Sequence, residues 1–127
     1  MNATYCRLYS DSDGESHFED VTVELREVDF APPAPALLLS EFGPAIRAGF
    51  LGGPNGWQGE WHRSSGRNLF VVISGEWEIE VSDGEKRMFS PTNALLLEDT
   101  FGKGHNSRVS SPDDSLALFV ELPQDDE

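Results

Sequence analysis

His62 and His105 are the residues of this chain best placed to do chemistry. His62 closes a Gly-x5-His run that opens at Gly56, and His105 closes the bend Gly102-Lys-Gly-His105. Strand, turn and strand lie between them, so the two imidazoles belong to separate strands of one antiparallel unit. A small β-barrel would bring them together across its mouth. An imidazole in a pocket works as a general base or acid, with a carboxylate fixing its tautomer. Glu98 and Asp99 precede the glycine bend, and either is placed to pair with His105; a solvated turn carboxylate is the plainer reading of both. Tyr5 and Tyr9, the two tyrosines, lie near the N-terminus. A phenolic acid would therefore come only from a folded-back or swapped segment.

Binding without turnover would use the same neighbourhood. Trp61 and Phe70 are candidates to line an apolar cavity, with Trp77 more simply explained as core. His62, Ser64, Arg67, Asn68 and His105 would supply a few convergent polar groups. Arg67 carries a fork of donors suited to a carboxylate, or else sits in an exposed loop. Ser64 and Ser65 do not form a hydrolase site, because no Gly-x-Ser-x-Gly elbow is present. Gly52-Gly53 and Gly102-Lys-Gly104 open no helix and are poor phosphate loops.

The elements that position these residues repeat with a period of two. Val21, Val23 and Leu25 alternate with Thr22 and Glu24, and Trp77, Ile79 and Val81 alternate with Glu76, Glu78 and Glu80, each the pattern of a strand with one wet face. Ala31-Pro-Pro-Ala-Pro35 forces an extended connection. Short strands are expected at 36–40, 45–50, 60–62, 86–89, 94–98 and 115–122, with a hairpin at Asp83-Gly84. The run from Asn68 to Ile73 is apolar on both parities, so both of its faces should be covered, one by the barrel interior and the other by a second sheet or a second subunit. Eight or more short strands with regular turn signals predict an all-β antiparallel sandwich or barrel.

Gly56, His62, Asn68 and Gly75, followed by Asn93, Gly102, His105 and Val109, resemble the two motifs of the cupin family. Ser64 stands where that family has a second histidine and Asn68 where it has a glutamate. Ser16-His-Phe-Glu19 and Thr100-Phe-Gly-Lys-Gly-His105 also look like a branch of small bacterial cupins. The resemblance implies a jelly-roll barrel and a divalent metal held by histidines and a carboxylate. Carried over to this chain, the ligand set is His62 and His105 with the amide oxygen of Asn68, and the metal iron, zinc, nickel or manganese. His17, beside Phe18, is expected at a surface or interface.

Nine basic against 23 acidic residues leave a net charge of −14, which repels nucleic acid and anionic lipid surfaces. The acidic run Asp11-Ser-Asp-Gly-Glu15 lacks the ligand spacing of a calcium loop and reads as solvated surface, as does Asp125-Asp-Glu127. A lone cysteine, Cys6, and no apolar stretch of membrane-spanning length fit a soluble cytoplasmic protein. The chain is thus expected to be one domain over residues 1–127 with ragged ends at 1–8 and 123–127. The expected partners are a small molecule and a second copy of itself, not nucleic acid or membrane.

Overall fold

The computed structural model describes residues 1–124 and contains eleven strands and no helix among them. In chain order these are β1 (Asn2–Ser10), β2 (Ser16–Glu24), β3 (Arg26–Val28), β4 (Leu37–Leu39), β5 (Arg47–Gly53), β6 (Arg67–Ser74), β7 (Trp77–Val81), β8 (Lys86–Phe89), β9 (Ala94–Leu97), β10 (His105–Val109) and β11 (Ser115–Leu122). Six of them form one sheet in the order β2-β1-β9-β6-β11-β5, three form a second in the order β10-β7-β8, and β3 pairs only with β4. Every pairing is antiparallel except β1 with β9. The all-β antiparallel class is as expected, in the manner of a jelly roll, but neither sheet closes on itself into a barrel.

The two large sheets face each other across one core. Leu8, Phe70, Val72, Leu95 and Ala117 of the first meet Trp77, Ile79, Val81, Phe89 and Val109 of the second. The period-two reading of residues 77–81 holds, with Trp77, Ile79 and Val81 buried and the glutamates between them half-buried. Asp83-Gly84 makes the β7–β8 turn, where Gly84 takes a positive φ.

The expected ragged start is instead a central strand. β1 pairs with β2 on one side and β9 on the other and buries Cys6 and Leu8. Strand β2 begins at Ser16, five residues before the alternation starting at Val21 becomes visible. At the other end Leu122 is still in β11 and Pro123 accepts a hydrogen bond from Arg67; Asp125 to Glu127 lie outside the described residues. The expected strand at 60–62 reduces to single bridges, Gln58 to Arg108 and His62 to His105.

Parity divides the six-stranded sheet into two unlike faces. Asn68, Phe70 and Val72 of β6 point inward and are buried, while Leu69 and Val71 are half-buried and Ile73 is exposed on the outer side. Strand register carries that outer row sideways: Phe50, Leu118, Val71 and Ala94 lie side by side, as do Ala48, Val120, Leu69 and Leu96. The expectation that β6 would need covering on both faces is thus met on the inner one by the second sheet. On the other face Ala48 and Phe50 are exposed, Leu69, Val71, Ala94, Leu118 and Val120 are half-buried, and Leu96 is buried.

Candidate functional site

Backbone pairing brings the two histidines together. His62 and His105 exchange both backbone hydrogen bonds, at 3.0 and 2.9 Å, and their rings lie 4.5 Å apart, centroid to centroid. The close approach depends on Gly104, which has φ of 74°. A Cβ there would lie 2.2 Å from the carbonyl oxygen of His62, so no side chain fits.

The two imidazoles have different surroundings. His105 is buried, at 4% exposure, whereas His62 is exposed. Nδ1 of His105 donates to Oδ2 of Asp99 at 2.6 Å. The other carboxylate oxygen, Oδ1, accepts the hydroxyl of Ser64 at 2.7 Å, and the backbone N–H of Ser64 donates to the Asp99 carbonyl. Asp99 has no exposed surface. Each of its carboxylate oxygens thus accepts from one buried donor, and the pairing fixes the His105 tautomer with Nε2 left as an acceptor. Nδ1 of His62 donates to the carbonyl of Glu60 at 2.7 Å, which leaves its Nε2 as an acceptor too.

Both rings line a cavity of about 290 Å³ between the sheets. The walls are Leu51, Gly52 and Gly53 of β5, Phe70 of β6, Trp77 and Ile79 of β7, Leu97 of β9, Ser107 of β10, Phe119 of β11, and Trp57 from the connection before β6. Trp77 stands edge-on to both Trp57 and Phe70, at 5.8 and 5.3 Å between centroids. Gly53 makes room for it, since a Cβ there would fall 2.6 Å from the Trp77 ring. Among the described residues, Nε1 of Trp77 is the one buried side-chain nitrogen or oxygen without a hydrogen-bond partner. The lining contains no lysine, arginine, aspartate or glutamate.

Of the residues singled out from sequence, His62, His105 and Phe70 meet in this cavity, and four others do not line it. Trp61 is 47% exposed and lies beside His62 in the chain, so when His62 turns inward Trp61 turns out; Trp57, not singled out, takes the aromatic position. Ser64 sits behind His105 as a donor to Asp99. Arg67 shares the outward parity of Leu69, donates to Glu98 at 2.7 Å and to the carbonyl of Pro123 at 3.1 Å, and does not line the cavity. Asn68 points inward, but its amide donates to the Gly66 carbonyl and it is not part of the cavity wall. Of the two acids, Asp99 pairs with His105. Burial pushes the Glu98 carboxyl up, but hydrogen bonds from Arg67 and Arg7 outweigh this and hold it below its ordinary value.

The donor set does not fit a resident divalent metal. Among the described residues no group of three histidine, cysteine, aspartate or glutamate side chains converges as ligands. Two imidazoles alone leave such an ion short of protein ligands. Asn68 does not line the cavity and its amide is held by the Gly66 carbonyl, and Asp99 is engaged by Ser64 and His105. His17 is far along the sequence from both site histidines and bonds Asp11 and Asp83, at 2.7 and 2.8 Å. Among the described residues no helix is long and apolar enough to cross a membrane.

No family model matches the chain, and no curated protein does. Solved structures match at low identity. The cupin domain of Cnp3 from Schizosaccharomyces pombe is 11% identical with a TM-score of 0.49, over 94% of this chain and 81% of that one. The cupin 2 conserved barrel domain protein from Leptotrichia buccalis is 10% identical with a TM-score of 0.48, over 97% and 77%. A putative ethanolamine utilization protein Q from Salmonella typhimurium is 16% identical with a TM-score of 0.41, over 98% and 99%. All three likenesses lie below 25% identity and below 0.5 in TM-score, and no residue role passes from them to this chain.

Proposed function

We propose that the cavity receives a small, neutral, largely apolar molecule carrying a hydroxyl or N–H donor, and that His105 is its proton acceptor. The observation that carries this reading is the buried chain from Ser64 through Asp99 to His105, which presents an imidazole Nε2 as an acceptor at an aromatic-walled cavity. Asp99 would stabilise the imidazolium formed when His105 takes a proton, as a carboxylate does for a catalytic histidine. His62, whose Nε2 is likewise an acceptor, supplies a second hydrogen-bond acceptor, and no other titratable side chain lines the cavity. Anionic ligands are disfavoured, because the wall offers them no cation and the protein carries a net charge of −14. The metal-dependent reading carried by the family resemblance is the weaker one here, because its ligand set is incomplete.

The test compares three one-ring probes, phenol, toluene and benzoate, by histidine-detected NMR and thermal shift. Phenol should move the His105 Nε2 resonance and bind more tightly than toluene by about 1 kcal/mol, the worth of one hydrogen bond. Benzoate should not bind. His105→Ala should remove the preference for phenol while leaving toluene binding in place. Benzoate binding as well as phenol, or a His105 signal indifferent to all three, would overturn the reading.

A further inference from the structure

We infer that the outer face of the six-stranded sheet, together with the arm from Arg26 to Ile46, is the surface on which a second copy of this chain docks. Phe30, Phe42 and Phe50 are 55%, 70% and 74% exposed. Phe30 and Phe42 touch each other edge-on, 6.0 Å between centroids, and Phe50 continues the apolar row that runs through Leu118 and Val71. In a sheet with one wet face these outer positions would be polar. A soluble monomer rarely leaves so large an apolar surface continuous and uncovered.

Three observations favour a second copy as the occupant. The first is charge. A chain with net charge −14 repels itself over most of its surface, yet residues 30–40 contain no charged side chain and neither row has one across β5, β11, β6 and β9; only beyond Leu96 does the second row reach Arg7 and Glu19, which pair with each other. A basic partner would find no carboxylate on the stretch from β5 to β9 and only the Arg7-paired Glu19 beyond it, whereas an identical apolar face is complementary to that stretch. The second is area. The exposed parts of the three phenylalanines amount to about 400 Å², roughly half of what each partner of a stable complex contributes. The third is position. The arm joins the two edge strands of the same sheet, β2 and β5, and at its β5 end Ile46 donates to the Glu121 carbonyl with no further strand beside β5. A two-fold axis beside that edge would let each arm lie over the other chain's outer face, the self-complementary arrangement of an isologous dimer. It would also cover an edge strand that no proline, bulge or lysine protects.

Sedimentation of the full chain at micromolar concentration tests this, with Phe42→Asp, Phe50→Asp and Met88→Asp as variants. Both phenylalanines are already exposed in the single chain, so neither change should disturb its fold, which near-ultraviolet circular dichroism will verify. The wild type and Met88→Asp, altered at an exposed residue of the other sheet, should sediment with the mass of two chains. Phe42→Asp and Phe50→Asp should each weaken association about tenfold or more. A wild-type mass of one chain, or dissociation by Met88→Asp but not by the phenylalanine variants, would overturn the inference.

Discussion

Asp99 holds two donors at once, and the consequence of removing it follows from what each would lose. Asp99→Ala leaves the Ser64 hydroxyl and the His105 Nδ1–H buried without an acceptor, which should cost about 3 kcal/mol of stability or more in urea unfolding. Asp99→Asn keeps the shape and one acceptor, so it should cost less, yet it would release the His105 tautomer and weaken phenol binding by up to about fivefold, the worth of that hydrogen bond. An Asp99→Asn protein that binds as the wild type does would show that the carboxylate is structural only. Gly104→Ala meets a harder obstacle, because its Cβ would overlap the His62 carbonyl at a positive φ. It should destabilise the fold by about 2 kcal/mol or more and part the two histidines, an outcome readable from their NMR shifts. The histidines and the acid before the glycine bend were legible in the sequence because a strand–turn–strand unit sets their separation. Trp57, Leu51 and Phe119 were not, since their place in the wall depends on the sheet order of β5, β11 and β6, which no local spacing encodes. Trp61 misled for a related reason: residues 54–66 are irregular, so strand parity could not be extended through them.

His17 joins two turns that are distant in sequence. It stands on β2 between Asp11 of the β1–β2 turn and Asp83 of the β7–β8 turn, with both ring nitrogens within hydrogen-bond reach of a carboxylate. Two acceptors can be satisfied together only by the imidazolium, and the hydrogen bonds to Asp11 and then Asp83 raise the His17 pKa above 6.5. The same contact lowers that of Asp11 below 3.8. A raised histidine contributes stability that is complete below its unfolded value and fades as pH rises through the folded one; a depressed aspartate contributes above its unfolded value and fades in acid. The clasp is therefore strongest between 3.8 and 6.5. Wild type should lose unfolding free energy relative to His17→Gln as pH rises above 6.5, and parallel pH curves for the two would refute the clasp. At this scale most of the sheet could be read from alternation, as Trp77 to Val81 shows. Strand β1 could not, because Thr4, Arg7 and Tyr9 share it with only Cys6 and Leu8 as buried positions, a pattern too weak to separate from a frayed end. Its central position between β2 and β9 comes from non-local pairing, including the one parallel contact.

The whole molecule must fold against its own charge. With 23 acidic and nine basic side chains, compaction brings carboxylates closer than they are in the unfolded chain. Local pairs offset part of this, among them Arg67 with Glu98, Arg87 with Asp20 and Arg108 with Glu78. Exposed pairs such as the last two are each worth little, so the long-range repulsion should dominate. Raising sodium chloride from about 10 mM to about 0.5 M shortens the screening length from roughly 30 Å to a few ångströms, and the melting temperature should rise by several degrees. The association inferred above should strengthen over the same range, since bringing two such chains together doubles the charge while the contact itself is apolar and insensitive to screening. A melting temperature that falls with salt would mean instead that the ion pairs outweigh the repulsion. An association that weakens with salt would place charged contacts, not the phenylalanine-bearing face, at the interface.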